Sequence, residues 1–253
     1  MTNSPFEPTS ERPRDAAHWA GRVDTLKVGE VPAGVMNINV DGRRVVGPLQ
    51  GFGALWQKTY QVRLRREGLT PFEIVRVWKE RFPDFQPPQN RFYPSVAGVA
   101  PGEVVLINAT LQGLPVRTGV MVLYADDESF TLMTPQGHPE SGWVTFSAFA
   151  DEADEQTIVA QVQSMARAND PMYELAFRVI GSKEQEKIWT HVLSSLAAHF
   201  TCEQQVSLSK TCVDPRLQWR QAKNIWHNAA MRSMLYTLGV PARWVRGLFN
   251  HDT

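Results

Sequence analysis

Period-two alternation fills the middle of the chain, and helical periodicity fills its last third. Five segments alternate like strands: EVVLINATL (103–111), VRTGVMVLYADD (116–127), SFTLMT (129–134), WVTFSAFAD (143–151) and QTIVAQVQSMAR (156–167). Short polar or glycine-bearing links join them, among them Gln112-Gly113 and Asp126-Asp127-Glu128, which predicts an antiparallel meander. Upstream, Val35–Val40 and Arg43–Val46 flank Asp41-Gly42 and read as a hairpin, followed by a longer strand over Phe52–Leu64. Thr70-Pro71 with Glu73 opens a helix, with threonine as N-cap and proline in the first turn. Phe82-Pro83 closes that helix, and PDFQPPQNRFYPS (83–95) reads as an extended loop. Beyond Pro171 the period is helical to Phe200, with Ile188, Trp189, Val192, Leu193, Leu196 and Phe200 in one stripe. Ser182-Lys183-Glu184-Gln185 has the form of a capping box, so the helix restarts or bends there. Residues 203–253 read as helical again, from Asp214-Pro215 to Gly239, with a last short helix from Pro241.

The expected face assignment puts Val120, Val122, Tyr124, Trp143, Thr145, Ser147 and Phe149 on one side of the sheet, with Val144, Phe146 and Ala148 on the other. The order strand, helix, meander, long helix predicts an α+β fold. In it a curved antiparallel sheet grips the long helix and leaves room for a cavity between them. Residues 1–30 are expected to be a poorly ordered arm, 31–200 the gripping domain and 201–253 a helical extension.

That order resembles the START-like (SRPBCC, helix-grip) superfamily. Gly102-Glu103-Val104 after a proline, and then Gly137-His138-Pro139-Glu140-Ser141-Gly142, resemble an uncharacterised group within it, the "domain of unknown function nineteen-ninety" family. Where that group carries an acidic pair after the motif, this chain has Trp143-Val144, so no role of those acids transfers. The resemblance covers roughly residues 50 to 200. It implies a cavity for an apolar or amphipathic small molecule, as in the superfamily's lipid carriers, cyclases and ligand-sensing receptors.

Composition narrows the class. Among 253 residues, 26 Lys plus Arg balance 26 Asp plus Glu, so nothing global argues for nucleic acid as a partner. The two cysteines, Cys202 and Cys212, form no C-x-x-C and fit a reducing cytoplasm. The first thirty residues hold no apolar run of the signal-peptide kind, and no stretch approaches the ~20 apolar residues that cross a bilayer.

The chemistry candidates each have a bland reading beside them. His138 and Glu140 stand two apart, so on an extended backbone imidazole and carboxylate share a face and could act as acid and base. Two glycines and two prolines around them equally describe a structural corner. Trp56, Tyr60, Tyr124, His138, Trp143 and Trp189 are the candidate ligand contacts, and the aromatics among them are also ordinary core residues. Asp126-Asp127-Glu128 lacks the spacing of a calcium loop, and His191 and His199 lie two helical turns apart, so no metal site or cofactor is expected. No G-x-S-x-G occurs, and Gly51-Phe52-Gly53 lacks a nucleotide-loop context. Arg216, Arg220, Lys223, Arg232, Arg243 and Arg246 make the tail basic. It is a solvated face, or a surface for a partner or a second copy of the chain.

Overall fold

The computed structural model describes residues 16–111, 113–179 and 183–239. Eight antiparallel strands form one sheet: β1 (Leu55–Arg65), β2 (Asn90–Tyr93), β3 (Val104–Leu111), β4 (Leu114–Ala125), β5 (Ser129–Met133), β6 (Glu140–Asp151), β7 (Asp154–Ala168) and β8 (Val206–Asp214). Their order across the sheet is β2-β3-β4-β5-β6-β7-β1-β8. The helices are α1 (Pro71–Glu80), α2 (Pro171–Val179), α3 (Lys183–His199) and α4 (Ala229–Leu238). The expected α+β grip is present: α1 and α3 lie across one face of the sheet.

The local chemistry explains these elements. Thr70 Oγ1 accepts the Glu73 N–H at the start of α1, and Pro71 occupies the first position, where no backbone donor is needed. Ile74, Val75, Val77 and Trp78 bury the inner side of α1, and Phe72 stays half exposed. On α3, Trp189, Val192, Leu193 and Leu196 are buried at the anticipated spacing. The core between them contains an aromatic knot: Phe130 and Phe146 stack at 4.6 Å, and the rings of Trp78 and Phe82 each stand edge-on to Phe146 at 5.3 Å. Edge-to-face and offset packing suits the ring quadrupoles.

Several expectations are corrected. Val120 and Val122 face the core with Phe146, because Val122 pairs with Leu132 and Leu132 with Val144. A register shift between Val122 and Tyr124 then turns Tyr124 to the outer face, in the row of Thr131 and Thr145. The Val35–Val46 segment makes no hairpin. It runs in successive turns over the outer face, with Val45 bridging Pro135. The reason is Asn39, whose buried amide donates to Arg117 O at 2.7 Å and accepts from Arg232 Nε at 2.9 Å, tying the segment to β4 and α4. Residues 83–95 are not all loop: Asn90–Tyr93 is β2, an edge strand, where prolines just before it cost no ladder bond.

Both ends of the described chain pack more closely than the periodicity suggested. Leu26 is buried with Val40 and Met121, and Trp19 bridges Tyr124, so residues 16–30 cover the outer face. The rest of the expected arm, residues 1–15, lies outside the described residues, as do Ser182 of the capping box and the helix expected from Pro241. Val206–Asp214, anticipated as helix, is β8, which pairs with β1 from Leu55↔Asp214 to Val62↔Val206. Trp219–His227 is a 3-10 helix. With three residues per turn, Trp226 joins Arg220 and Lys223 in an outward, exposed row. Arg216 precedes that helix and pairs with Asp214 at 2.8 Å. Asp214 also meets the buried Arg167 at 2.6 Å. Its carboxyl is held well below the usual carboxylate range by hydrogen bonds from Arg216 and Arg167.

Candidate functional site

Two voids meet between the sheet and the start of α3. The inner one, about 140 Å³, is walled by apolar side chains such as Ile107, Val120, Leu132, Val144, Ile188 and Trp189, with His138 and Glu140 among them. The outer one, a vestibule of about 460 Å³, is bounded by Trp56, Lys58, Phe177, Lys210 and Cys212. Glu140, Ser164, Ala166, Phe177 and Gln185 belong to both walls, so the vestibule abuts the inner chamber along a shared seam.

The Gly137–Gly142 segment positions the polar groups. Gly137 turns the chain with φ +94°, and Glu140 begins β6, so the motif is half corner and half strand. His138 Nδ1 lies 3.0 Å from both the amide nitrogen and the carbonyl oxygen of Glu140. Accepting the amide proton places the ring proton on Nε2. The imidazole therefore contacts the backbone of Glu140 and leaves its carboxylate to others. Gln185 Nε2 donates to Glu140 Oε2 at 2.6 Å, and Lys58 Nζ donates to Gln185 Oε1 at 2.5 Å. An amide thus bridges a buried amine and a buried carboxyl across the seam.

Burial dominates the electrostatics here. It pushes the Glu140 carboxyl up, against the pull of Lys58 and the Gln185 hydrogen bond. It pulls the Lys58 amine down, against Glu140 and Glu186. It lowers His138 to about 4, so the ring is neutral at pH 7. Acidification from pH 6.5 to about 4 is therefore expected to cost the fold at most about 3 kcal/mol through His138, since the ring keeps some exposure. The unfolded chain binds that proton first, so stability present above pH 6.5 is lost as the pH falls through this window. Glu140 acts in the opposite sense, because its folded carboxyl takes up a proton at higher pH than the unfolded one. Urea unfolding of wild type and His138→Gln across this range checks the difference: the variant's acid limb should be the shallower.

The structure brings together His138, Glu140, Trp189 and, at the outer mouth, Trp56, which is 41 % exposed. It does not bring in Tyr60 or Tyr124. Tyr60 is sealed in the core, in one cluster with Val62 and Phe146, and lines neither void. Tyr124 packs against Trp19 outside the sheet, ring centroids 4.7 Å apart and planes tilted by 58°. Trp143 falls in the outer-face row of Met133 and Met165 and is 37 % exposed, yet it also touches the inner void. Sequence reasoning missed Lys58 and Gln185. The signal for Lys58 was present: Trp56, Lys58, Tyr60, Val62 and Leu64 share a face, and a lysine in an inward row is out of place. Among the described residues no three His, Cys, Asp or Glu side chains gather as a metal site.

A curved antiparallel sheet closed by a C-terminal-half helix, with the space at one end of that helix, defines a START-like helix-grip fold. Solved structures are similar to the chain at low identity. A START superfamily protein from Mycobacterium smegmatis is 15% identical, with a TM-score of 0.42 over 57% of this chain and 98% of its own. A protein from Thermus thermophilus is 12% identical (TM-score 0.44, 57% and 97% covered). A norcoclaurine synthase from Thalictrum flavum is 10% identical (TM-score 0.42, 58% and 97% covered). These likenesses concern the fold and nothing further. No protein-family model matches the chain, and no curated protein does. No family model supports the resemblance to the uncharacterised group read from Gly102–Val104 and Gly137–Gly142. No helix among the described residues is long and apolar enough to cross a membrane.

Proposed function

We propose that the protein binds a small, largely apolar molecule with one polar end, seated in the inner void with that end at the Glu140–Gln185–Lys58 seam. The observation that carries this reading is the composition of the wall. Apolar side chains dominate it, while Thr118 Oγ1 and Trp189 Nε1 are buried there without a protein partner. Buried polar atoms are nearly always paired, so two such atoms beside a void favour a guest that carries an acceptor. The free cysteines Cys202 and Cys212 agree with a reducing compartment, and we take the cytoplasm as the working site.

Filling the chamber tests the idea. Ala109→Phe places a ring in the inner wall, and it is expected to weaken uptake of the fluorescent probe 1-anilinonaphthalene-8-sulfonate about tenfold or more, equivalent to about 1.4 kcal/mol. His138→Ala should weaken it in the same direction. Unchanged probe binding in both variants would return the Gly137–Gly142 corner to architecture alone. Native mass spectrometry of the purified protein gives a second readout, a retained guest.

An enzymatic use of His138 and Glu140 is the other reading, and one feature favours it: both line the inner void. Burial favours the acid form of Glu140, so the carboxyl would act as the proton donor, with the neutral His138 presenting its Nε2–H beside it. A docking role for the tail is a third reading. Its described part is anchored where Ser233 Oγ accepts the Arg117 N–H at 3.0 Å and Asn224 donates to Gln50 O at 2.7 Å, while Trp219, Trp226, Leu235 and Leu238 stay exposed.

A further inference from the structure

Lys58 is out of keeping with its neighbours. It sits in the middle of β1 on the concave face, is 7 % exposed, and has Lys210 and Ser164 as its cross-strand neighbours. Lys210 turns away to Glu186 at 2.7 Å. The Lys58 amine turns to the seam, where Gln185 takes one of its three possible hydrogen bonds. A lysine wanted for solubility would reach water, and one wanted for a salt bridge would meet its acid directly. Here an amide side chain separates Lys58 from Glu140, and the amine borders a vestibule large enough for a guest.

We propose that Lys58 captures a carbonyl compound, an aldehyde or ketone with an apolar tail, as an imine at the mouth of the inner void. This rests on the reading of the voids as a ligand site and specifies the guest's reactive end. The steps balance without any oxidant or reductant. The Nζ lone pair attacks the carbonyl carbon, forming the C–N bond while the C=O π pair moves to oxygen. One proton passes from nitrogen to that oxygen and gives a carbinolamine. Glu140 then protonates the hydroxyl, the C–O bond breaks, and water leaves through the vestibule. The nitrogen lone pair closes the C=N bond, and the iminium cation faces the carboxylate just formed on Glu140.

The surroundings suit each step. A desolvated amine is the nucleophilic form, and burial biases Lys58 toward it. Burial likewise raises the Glu140 carboxyl and so favours a proton there, against the pull of Lys58 and Gln185. Gln185 touches both partners and holds them across one gap. The apolar wall of Val144, Ile188 and Trp189 beyond the seam would hold the tail and align the carbonyl.

Hexanal with sodium cyanoborohydride is the trapping test, with 1-hexanol as the unreactive counterpart and displacement of 1-anilinonaphthalene-8-sulfonate as the binding readout. At neutral pH one reduced hexyl group is expected per chain, mapped by peptide mass spectrometry to Lys58. Lys58→Arg should lose that label, and mapping on wild type, with 1-hexanol displacing the probe there, gives the answer even if the variant folds or binds poorly. Label on exposed Lys27 or Lys223 with Lys58 unmodified, while 1-hexanol displaces the probe, would overturn the imine and leave the binding site standing. Failure of both compounds to displace the probe would overturn the binding reading, and the imine with it.

Discussion

Phe146→Ala is expected to destabilise the protein by about 3–5 kcal/mol, the range for emptying a ring from a packed core. Phe146 is fully buried, and its ring meets Trp78, Phe82, Phe130 and Trp189 at 5.3, 5.3, 4.6 and 5.5 Å. Each such pair adds about 0.5–1.5 kcal/mol beyond the area it removes from water. The knot also fixes where the chamber can be, because it fills the middle of the grip and confines the inner void to the start of α3. Phe149 supplies the control. It is three residues along the same strand, on the opposite face and 40 % exposed, so Phe149→Ala should cost less than about 1 kcal/mol. Thermal unfolding of the two variants separates them. At about 2–4 °C per kcal/mol, Phe146→Ala should lower Tm by roughly 10 °C, and Phe149→Ala by little. Equal losses would mean that the register of β6 is not the one described.

That strand shows how the sequence can be read and where it stops. Its alternation is strong because one face is dry, and each of the five meander strands was visible for the same reason. The face that β4 shares with β6 was not visible, because a bulge after Val122 changes phase without changing composition. β8 left no periodic signal either. VSLSKTCVD is exposed for most of its length, so neither face had to be apolar, and its strand character comes from the ladder with β1. At the site, the His138-Pro139-Glu140 spacing drew attention to a true meeting point but suggested the wrong partners. Gln185 lies 45 positions from Glu140 in the chain, and only the closing of α3 over the sheet makes them neighbours. Lys58 was legible as an anomaly in an inward row, though its purpose needed the seam.

Gly137→Ala is expected to be among the most damaging single-methyl additions in the chain, and it bears directly on what the corner is for. Two costs combine. Gly137 has φ +94°, where a side chain costs about 1–3 kcal/mol by backbone strain. An added Cβ would also lie 2.1 Å from the carbonyl oxygen of His227, so the corner and the tail would have to part. That contact is the seat of α4: the Ala229 N–H donates to Gly137 O at 2.9 Å, and Asn228 caps the helix by accepting the Met231 N–H while its amide donates to Asp170 at 2.9 Å. Gly42→Ala isolates the first cost, since Gly42 has φ +71° and nothing within 4 Å of its added Cβ. Both variants should therefore lose stability, and Gly137→Ala should lose clearly more. It alone should open the tail to trypsin at Arg220 and Lys223, which limited proteolysis followed by mass spectrometry would show. Since His138 and Glu140 follow directly on this turn, the same substitution should weaken uptake of 1-anilinonaphthalene-8-sulfonate, and Gly42→Ala should leave it unchanged. If Gly137→Ala frees the tail yet binds the probe normally, the corner anchors the tail without shaping the chamber. If it does both, one glycine couples the docking of the C-terminal segment to the geometry of the polar seam.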